Sequence, residues 1–122
     1  MSASYVLTPA ARKHLREAKL WSRARWGDAL TAQYFQDLDQ AAHYLAEHHA
    51  QHAARTELVG SSRVCVYPAR EHYIIYEPIA ENKVAIVAFI RQGRDVPALL
   101  GKYAYAFKKE LDEIRRSCEP KT

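Results

Sequence analysis

Three strand-like runs, 63–67, 71–77 and 83–91, follow one another with connections of only three and five residues. Neither connection has room for a crossover, so the three runs must form antiparallel neighbours. In the first, Val64 and Val66 alternate with Arg63, Cys65 and Tyr67, the pattern of a half-covered strand. The other two, "HYIIYE" and "VAIVAFI", are apolar on both faces, which suits the middle of a sheet. Pro78 in the connection "PIAEN" is expected to end the second strand. The last strand finishes abruptly in "RQGRD", Arg91 to Asp95. These arginines admit three readings: a nucleic-acid grip, a partner-binding edge, or ordinary solvated charge.

The segments on either side are helical, apart from a short opening strand at 4–7. Thr8 suits a helix N-cap with Pro9 at the first helical position. Ala11, Leu15 and Ala18, then Trp21 or Ser22, recur at helical spacing until Gly27 supplies a left-handed stop. Asp28 caps a second helix whose apolar stripe is Leu30, Tyr34, Leu38, Ala41, Ala42 and Leu45. So short a connection predicts an antiparallel helical hairpin. Residues 53–62 read as loop anchored by Leu58 and Val59. After the strands, Leu100, Tyr103, Ala104, Phe107, Leu111 and Ile114 share one face of a C-terminal helix. The expected fold class is α+β: N-terminal strand, helical hairpin, three-stranded antiparallel sheet portion and C-terminal helix, with the helices on one face of a curved sheet.

A chain of 122 residues with 48% hydrophobic content supports one core, hence a single domain over 1–122. The net charge of +4 is too mild to point to nucleic acid by itself. Cys65 and Cys118 form no CxxC, "MSASYVL" is not a secretory leader, and no apolar run reaches the roughly 18 residues of a membrane span. A soluble cytoplasmic protein is the expectation.

Charge divides the two helices. The first carries Arg12, Lys13, Arg16, Lys19, Arg23 and Arg25 against one acid, Glu17; the second carries four acids and no lysine or arginine. Two readings stand open: solvated faces that attract each other weakly, about 0–1 kcal/mol per exposed pair, or a basic face offered to an acidic partner. His48 and His52 share a helical face but lack an HExxH frame or a third ligand, so no metal is expected. Cys65 reads as a structural thiol, Ser61 and Ser62 form no nucleophile elbow, and the four glycines make no phosphate loop. No cofactor is expected. Arg63, His72 and Arg91 can meet on one sheet face if their strands are adjacent; His72 is then the candidate base, and an arginine the phosphate clamp, of a metal-free RNA cleavage.

"YVLTPAARKHL", "RWGDALTAQYFQDL", "GSSRVCVYPAREHYIIYEP" and "KVAIVAFIRQGRDVPALL", in that order, resemble the RelE/ParE toxin superfamily of type II toxin–antitoxin modules. The resemblance runs from Ser4 to about Leu100. "TPAA", "WG", "HYIIY" and the closing "RQGRD" before a leucine pair look more like the ParE branch than the RelE branch. That likeness implies a toxin that binds and inhibits DNA gyrase, is not an enzyme, and is neutralised by a ParD-like antitoxin. Such an antitoxin wraps the toxin with its C-terminal segment and binds operator DNA through its own N-terminal domain. It also implies a target-binding edge at Arg91 and Arg94, with Arg63, while the basic first helix offers Arg12, Arg16 and Lys19 to the antitoxin. The RelE branch implies instead a ribosome-dependent mRNA endoribonuclease, with His72, Arg63 and Arg91 as its candidates; an inactive toxin-fold binding protein is the third reading. The closing His-Tyr pair and strand lysines of that branch are missing here. A helical extension from about residue 102 continues past the usual end of such chains.

Overall fold

The computed structural model describes residues 3–49, 56–59 and 62–118. Strand β1 (Ser4–Leu7) leads into helix α1 (Pro9–Trp26) and helix α2 (Asp28–His48). Strands β2 (Thr56–Val59), β3 (Ser62–Ala69), β4 (His72–Ala80) and β5 (Lys83–Arg91) follow, then helices α3 (Val96–Lys102) and α4 (Ala104–Cys118). The strands form one sheet in the order β1-β5-β4-β3-β2, antiparallel except for the parallel pair β1 and β5.

The expected antiparallel trio is present, and two features extend it. Residues 56–59, expected as loop, pair with β3 as a further strand. Four residues are too few to show an alternation, so only the pairing reveals them as a strand. Pro78 does not end β4, which continues to Ala80. The β3 ladder on β4 runs only from His72 to Tyr76, and the β4–β5 register slips between Pro78 and Ala80. A residue without an N–H is tolerated at such an irregularity.

The helices lie on both faces of the sheet rather than one. Helices α1 and α2 bury Ala11, Tyr34, Leu38 and Leu45 against Ile74, Tyr76 and Ile86. On the opposite face Leu100, Phe107 and Leu111 cover Val64, Ile75, Val87 and Ile90. A sheet apolar on both sides needs this double cover, because either bare face leaves contiguous apolar surface in water. The C-terminal stripe is broken at Tyr103, which sits between α3 and α4 and is 44% exposed. In α2 the expected Leu30 is also exposed, and Thr31 takes the buried position, donating its hydroxyl to Gly27 O at 2.7 Å.

Most of the expected helix boundaries hold. Gly27 adopts φ +83° and donates its N–H to Arg23 O, closing α1. It also occupies the N-cap position of α2, so Asp28 is the first helical residue and caps nothing with its side chain. Gly93, at φ +97°, turns the chain out of β5, and Asp95 caps α3 by accepting from Ala98 N. Helix α4 is tied down at two polar points. Glu110 Oε1 accepts from Ala10 N at 3.0 Å, serving one of the orphan donors of α1, and Arg115 reaches the buried Glu77 carboxylate at 2.6 Å.

Thr8 joins three elements at one buried atom. Its N–H donates to Ile86 O, its hydroxyl donates to Val87 O at 2.9 Å, and that oxygen accepts from Ala11 N at 3.1 Å. Val87 is the extra residue of a bulge, since Ile75 faces Ala88 while Tyr76 faces Ile86. Thr8→Val keeps the shape but strands a buried carbonyl and a helix donor. A loss of about 2–4 kcal/mol is expected, read as a lower denaturation midpoint at unchanged slope, with Thr8→Ser recovering most of it.

Candidate functional site

A groove of about 530 Å³ opens between α1 and the α3–α4 arm, over the end of β5. Its apolar walls include Phe89, Ile90, Leu99 and Phe107; its polar ones include His14, His72, Arg91 and Arg94. The short connection between β4 and β5 brings His72 directly opposite Arg91 on the sheet face that α1 and α2 cover. Arg91 lies over Trp21, its guanidinium carbon 4.3 Å from the ring centroid, while Arg25 sits 5.2 Å from the same ring. Trp21 meets Trp26 edge-on, Trp26 meets Tyr34, and Tyr34 meets His72, so an aromatic series runs from the groove rim to its buried histidine.

The hydrogen bonds fix the tautomer of His14 and tie His72 to Tyr34. Tyr34 Oη accepts from Glu71 N at 3.1 Å and shares a 2.5 Å hydrogen bond with His72 Nδ1, in which either atom can donate. His14 Nδ1 accepts from the backbone N–H of Phe89 at 3.2 Å. Neutral His14 therefore carries its proton on Nε2, because a ring with one nitrogen accepting must donate from the other. Burial, reinforced by Arg91, pushes the His72 pKa down, and burial does the same to His14. Both shifts favour the neutral rings, and Nδ1 of His72 is already engaged by Tyr34.

The sequence-derived site residues separate into three places. His72 and Arg91 meet, and Arg94 joins them through the turn, where its N–H donates to Arg91 O at 3.2 Å. Arg63 does not join them. It stands six positions along β3 from Ala69, the cross-strand partner of His72, which is roughly 20 Å of strand. Arg12, Arg16 and Lys19 form an exposed i, i+4, i+7 stripe along α1. Trp21 and His14, which line the groove, and Tyr34, buried behind His72, are the residues that motif reasoning missed. The signal was present in His14, a polar residue one position before Leu15 on the buried side of the first helix.

Among the described residues no group of three or more acidic, histidine or cysteine side chains is placed to hold a metal ion. His48 bonds back to Tyr44 O, and His52 lies outside the described residues, as do Gly60 and Ser61. Cys65 is buried beside the Tyr76 hydroxyl, which it helps hold above its ordinary pKa after the larger effect of burial. Among the described residues no helix is long and apolar enough to cross a membrane.

Comparison with known proteins agrees with this architecture. Residues 5–96 match the family model of the ParE toxin of the type II toxin–antitoxin system parDE. Toxin ParE1 of Mycobacterium tuberculosis, from strains CDC 1551 / Oshkosh and ATCC 25618 / H37Rv, is 31% identical over 104 residues, covering 79% of this chain and 96% of its own. A chain from the chromosomal ParDE TA system of P. aeruginosa superposes with a TM-score of 0.60 at 16% identity, over 73% of this chain and 95% of its own. Helix α4 lies wholly beyond the last residue that the family model matches. With the hairpin, the sheet and the "RQGRD" turn all inside the matched span, the chain belongs to the ParE toxin family of type II toxin–antitoxin systems.

Proposed function

We propose that the chain arrests growth by binding DNA gyrase, without cutting a substrate, and that a ParD-like antitoxin neutralises it in the cytoplasm. The observation that carries the binding reading is the state of His72. Its Nδ1 is held by Tyr34, and Arg63 is a strand length away, so the three groups a nuclease would need do not converge. What the groove rim does present is Arg91 and Arg94, exposed at the turn out of β5. These two form the target-binding edge in this reading, and Arg63 is a separate contact at the far end of β3.

The antitoxin reading rests on α1. Among the described residues Arg12, Arg16 and Lys19 make no ion pair, whereas neighbouring Lys13 pairs with Glu17 and Arg23 with Asp28. An exposed cationic stripe suits an acidic, amphipathic segment that orders as it binds. The adjacent gene is the expected source of that segment, and operator DNA is reached only through the antitoxin's own N-terminal domain. Charge reversal at all three positions should weaken antitoxin binding at least tenfold at low salt and flatten its salt dependence. Unchanged affinity and unchanged salt slope in a binding titration contradict a role for this stripe. The same variants tested for growth arrest without antitoxin should remain toxic, which separates neutralisation from target binding.

A further inference from the structure

The groove is built more specifically than an exposed arginine pair requires. Two imidazoles each engage Nδ1 internally, His14 accepting from Phe89 N and His72 bonded to Tyr34 Oη. Each therefore leaves Nε2 toward the groove, with the proton of His14 on it, and among the described residues nothing in the chain takes either of them up. Arg91 is held against Trp21 beside them, and Arg94 stands on the same wall. The remaining cation of the groove, Lys13, is answered by Glu17 at 3.9 Å. The groove thus offers imidazole nitrogens, one of them a fixed N–H donor, with two guanidinium groups, above a floor of Phe89 and Ile90.

We propose that Tyr34 donates to His72 Nδ1, leaving an Nε2–H on both histidines, and that this groove is a receptor site for a carboxylate carried on an apolar body, with the carboxylate between the two histidine Nε2–H groups and Arg91. Neutral donors beside guanidinium suit a planar monoanion, because a guanidinium and a carboxylate match in a fork. A phosphate dianion is disfavoured: Glu17 lines the same wall, and burial opposes the protonation of His14 and His72 that a second negative charge would call for. The apolar walls at Leu99, Tyr103 and Phe107 take the body that bears the carboxylate. All three of those residues lie past the span that the ParE toxin family model matches, so the complete site is particular to chains that carry this arm. A free organic acid and the acidic side chain of a peptide share this chemistry. The inference uses the same groove as the target-binding reading but not the identity of the target, and its test is run on the isolated chain.

The test follows the histidine side chains of the full-length protein by ¹⁵N–¹H NMR while hexanoate is added. Both rings should show protonated Nε2 and unprotonated Nδ1 before any ligand, and both Nε2–H resonances should move on titration. Hexanamide, which keeps the apolar body without the charge, should bind at least roughly tenfold more weakly, and hexyl phosphate no more tightly than hexanoate. The double variant Arg91→Gln/Arg94→Gln should lose roughly tenfold in hexanoate affinity while both tautomers persist, which shows that the groove is intact. A blocked peptide, acetyl-Leu-Glu-Leu-Phe-amide, forms the second arm. Tighter binding than hexanoate, lost on Glu→Gln in the peptide, assigns the site to a protein carboxylate; weaker binding assigns it to a free acid. A proton on Nδ1 of either ring, equal binding of hexanamide, tighter binding of hexyl phosphate, or no response to hexanoate and peptide alike overturns the proposal. None of these outcomes depends on whether gyrase is the target.

Discussion

Deleting residues 102–122 is expected to cost the chain most of its stability. The deletion removes the buried Phe107 and Leu111 and the half-buried Ile114, and bares the sheet face formed by Val64, Ile75, Val87 and Ile90. Burial of those three side chains contributes about 5–8 kcal/mol before the entropy of ordering the helix is subtracted. The polar losses add to this. Glu77, 7% exposed, loses the Arg115 guanidinium, and a buried carboxylate without its partner is strongly destabilising. Ala10 N loses Glu110. Small domains have a total stability of only about 5–15 kcal/mol, so the truncated chain should bind a hydrophobic dye, aggregate, or melt far below the intact one. A truncated protein that stays soluble and melts at the same temperature would show that α4 is a detachable arm. Glu77→Gln/Arg115→Met, which removes both charges, separates the two contributions: it should be tolerated far better than Arg115→Met alone.

The second large effect falls on function and spares the fold. Arg91→Ala/Arg94→Ala should abolish growth arrest while the melting temperature changes little. Both side chains are exposed, and among the described residues neither forms an ion pair. The acids that might have tied them down are otherwise engaged: Glu77 pairs with Arg115, and Asp95 caps α3. The double variant does give up the stacking of Arg91 on Trp21, worth about 0.5–1 kcal/mol at an exposed site. Exposed substitutions otherwise stay within about 0.5 kcal/mol. Toxicity measured by induced expression, beside a thermal melt of the purified variant, decides the matter. Retained growth arrest removes the pair from the target edge, and a large drop in stability shows that they hold the turn.

Much of this fold was legible because its signals are local. Thr8-Pro9, Gly27, Gly93 and Asp95 mark helix and turn boundaries through backbone chemistry that neighbours cannot override. The approach of His72 to Arg91 was legible from the short connection between two antiparallel strands. The same reasoning should have excluded Arg63. It stands near the start of β3 and His72 at the start of β4, and successive antiparallel strands begin at opposite ends of the sheet. Other features depend on long-range contacts and carried little signal. Strand β2 exists by pairing with β3, and the break at Tyr103 leaves the apolar spacing of Leu100, Phe107 and Leu111 intact. "VAIVAFI" did announce two covered faces, which one layer of helices cannot supply. The groove was hardest to read, since it forms only where α1, β5 and the arm converge, and its histidines are held by Tyr34 and a backbone amide.

The reading that this ParE-family chain acts by binding is tested most directly by adding the purified protein, in parallel, to a DNA gyrase supercoiling reaction and to a ribosome-dependent translation reaction. Dose-dependent loss of supercoiling, absent for Arg91→Ala/Arg94→Ala and relieved by antitoxin, with mRNA left intact on the ribosome, is the predicted result. Codon-linked mRNA cleavage with supercoiling unaffected would contradict it.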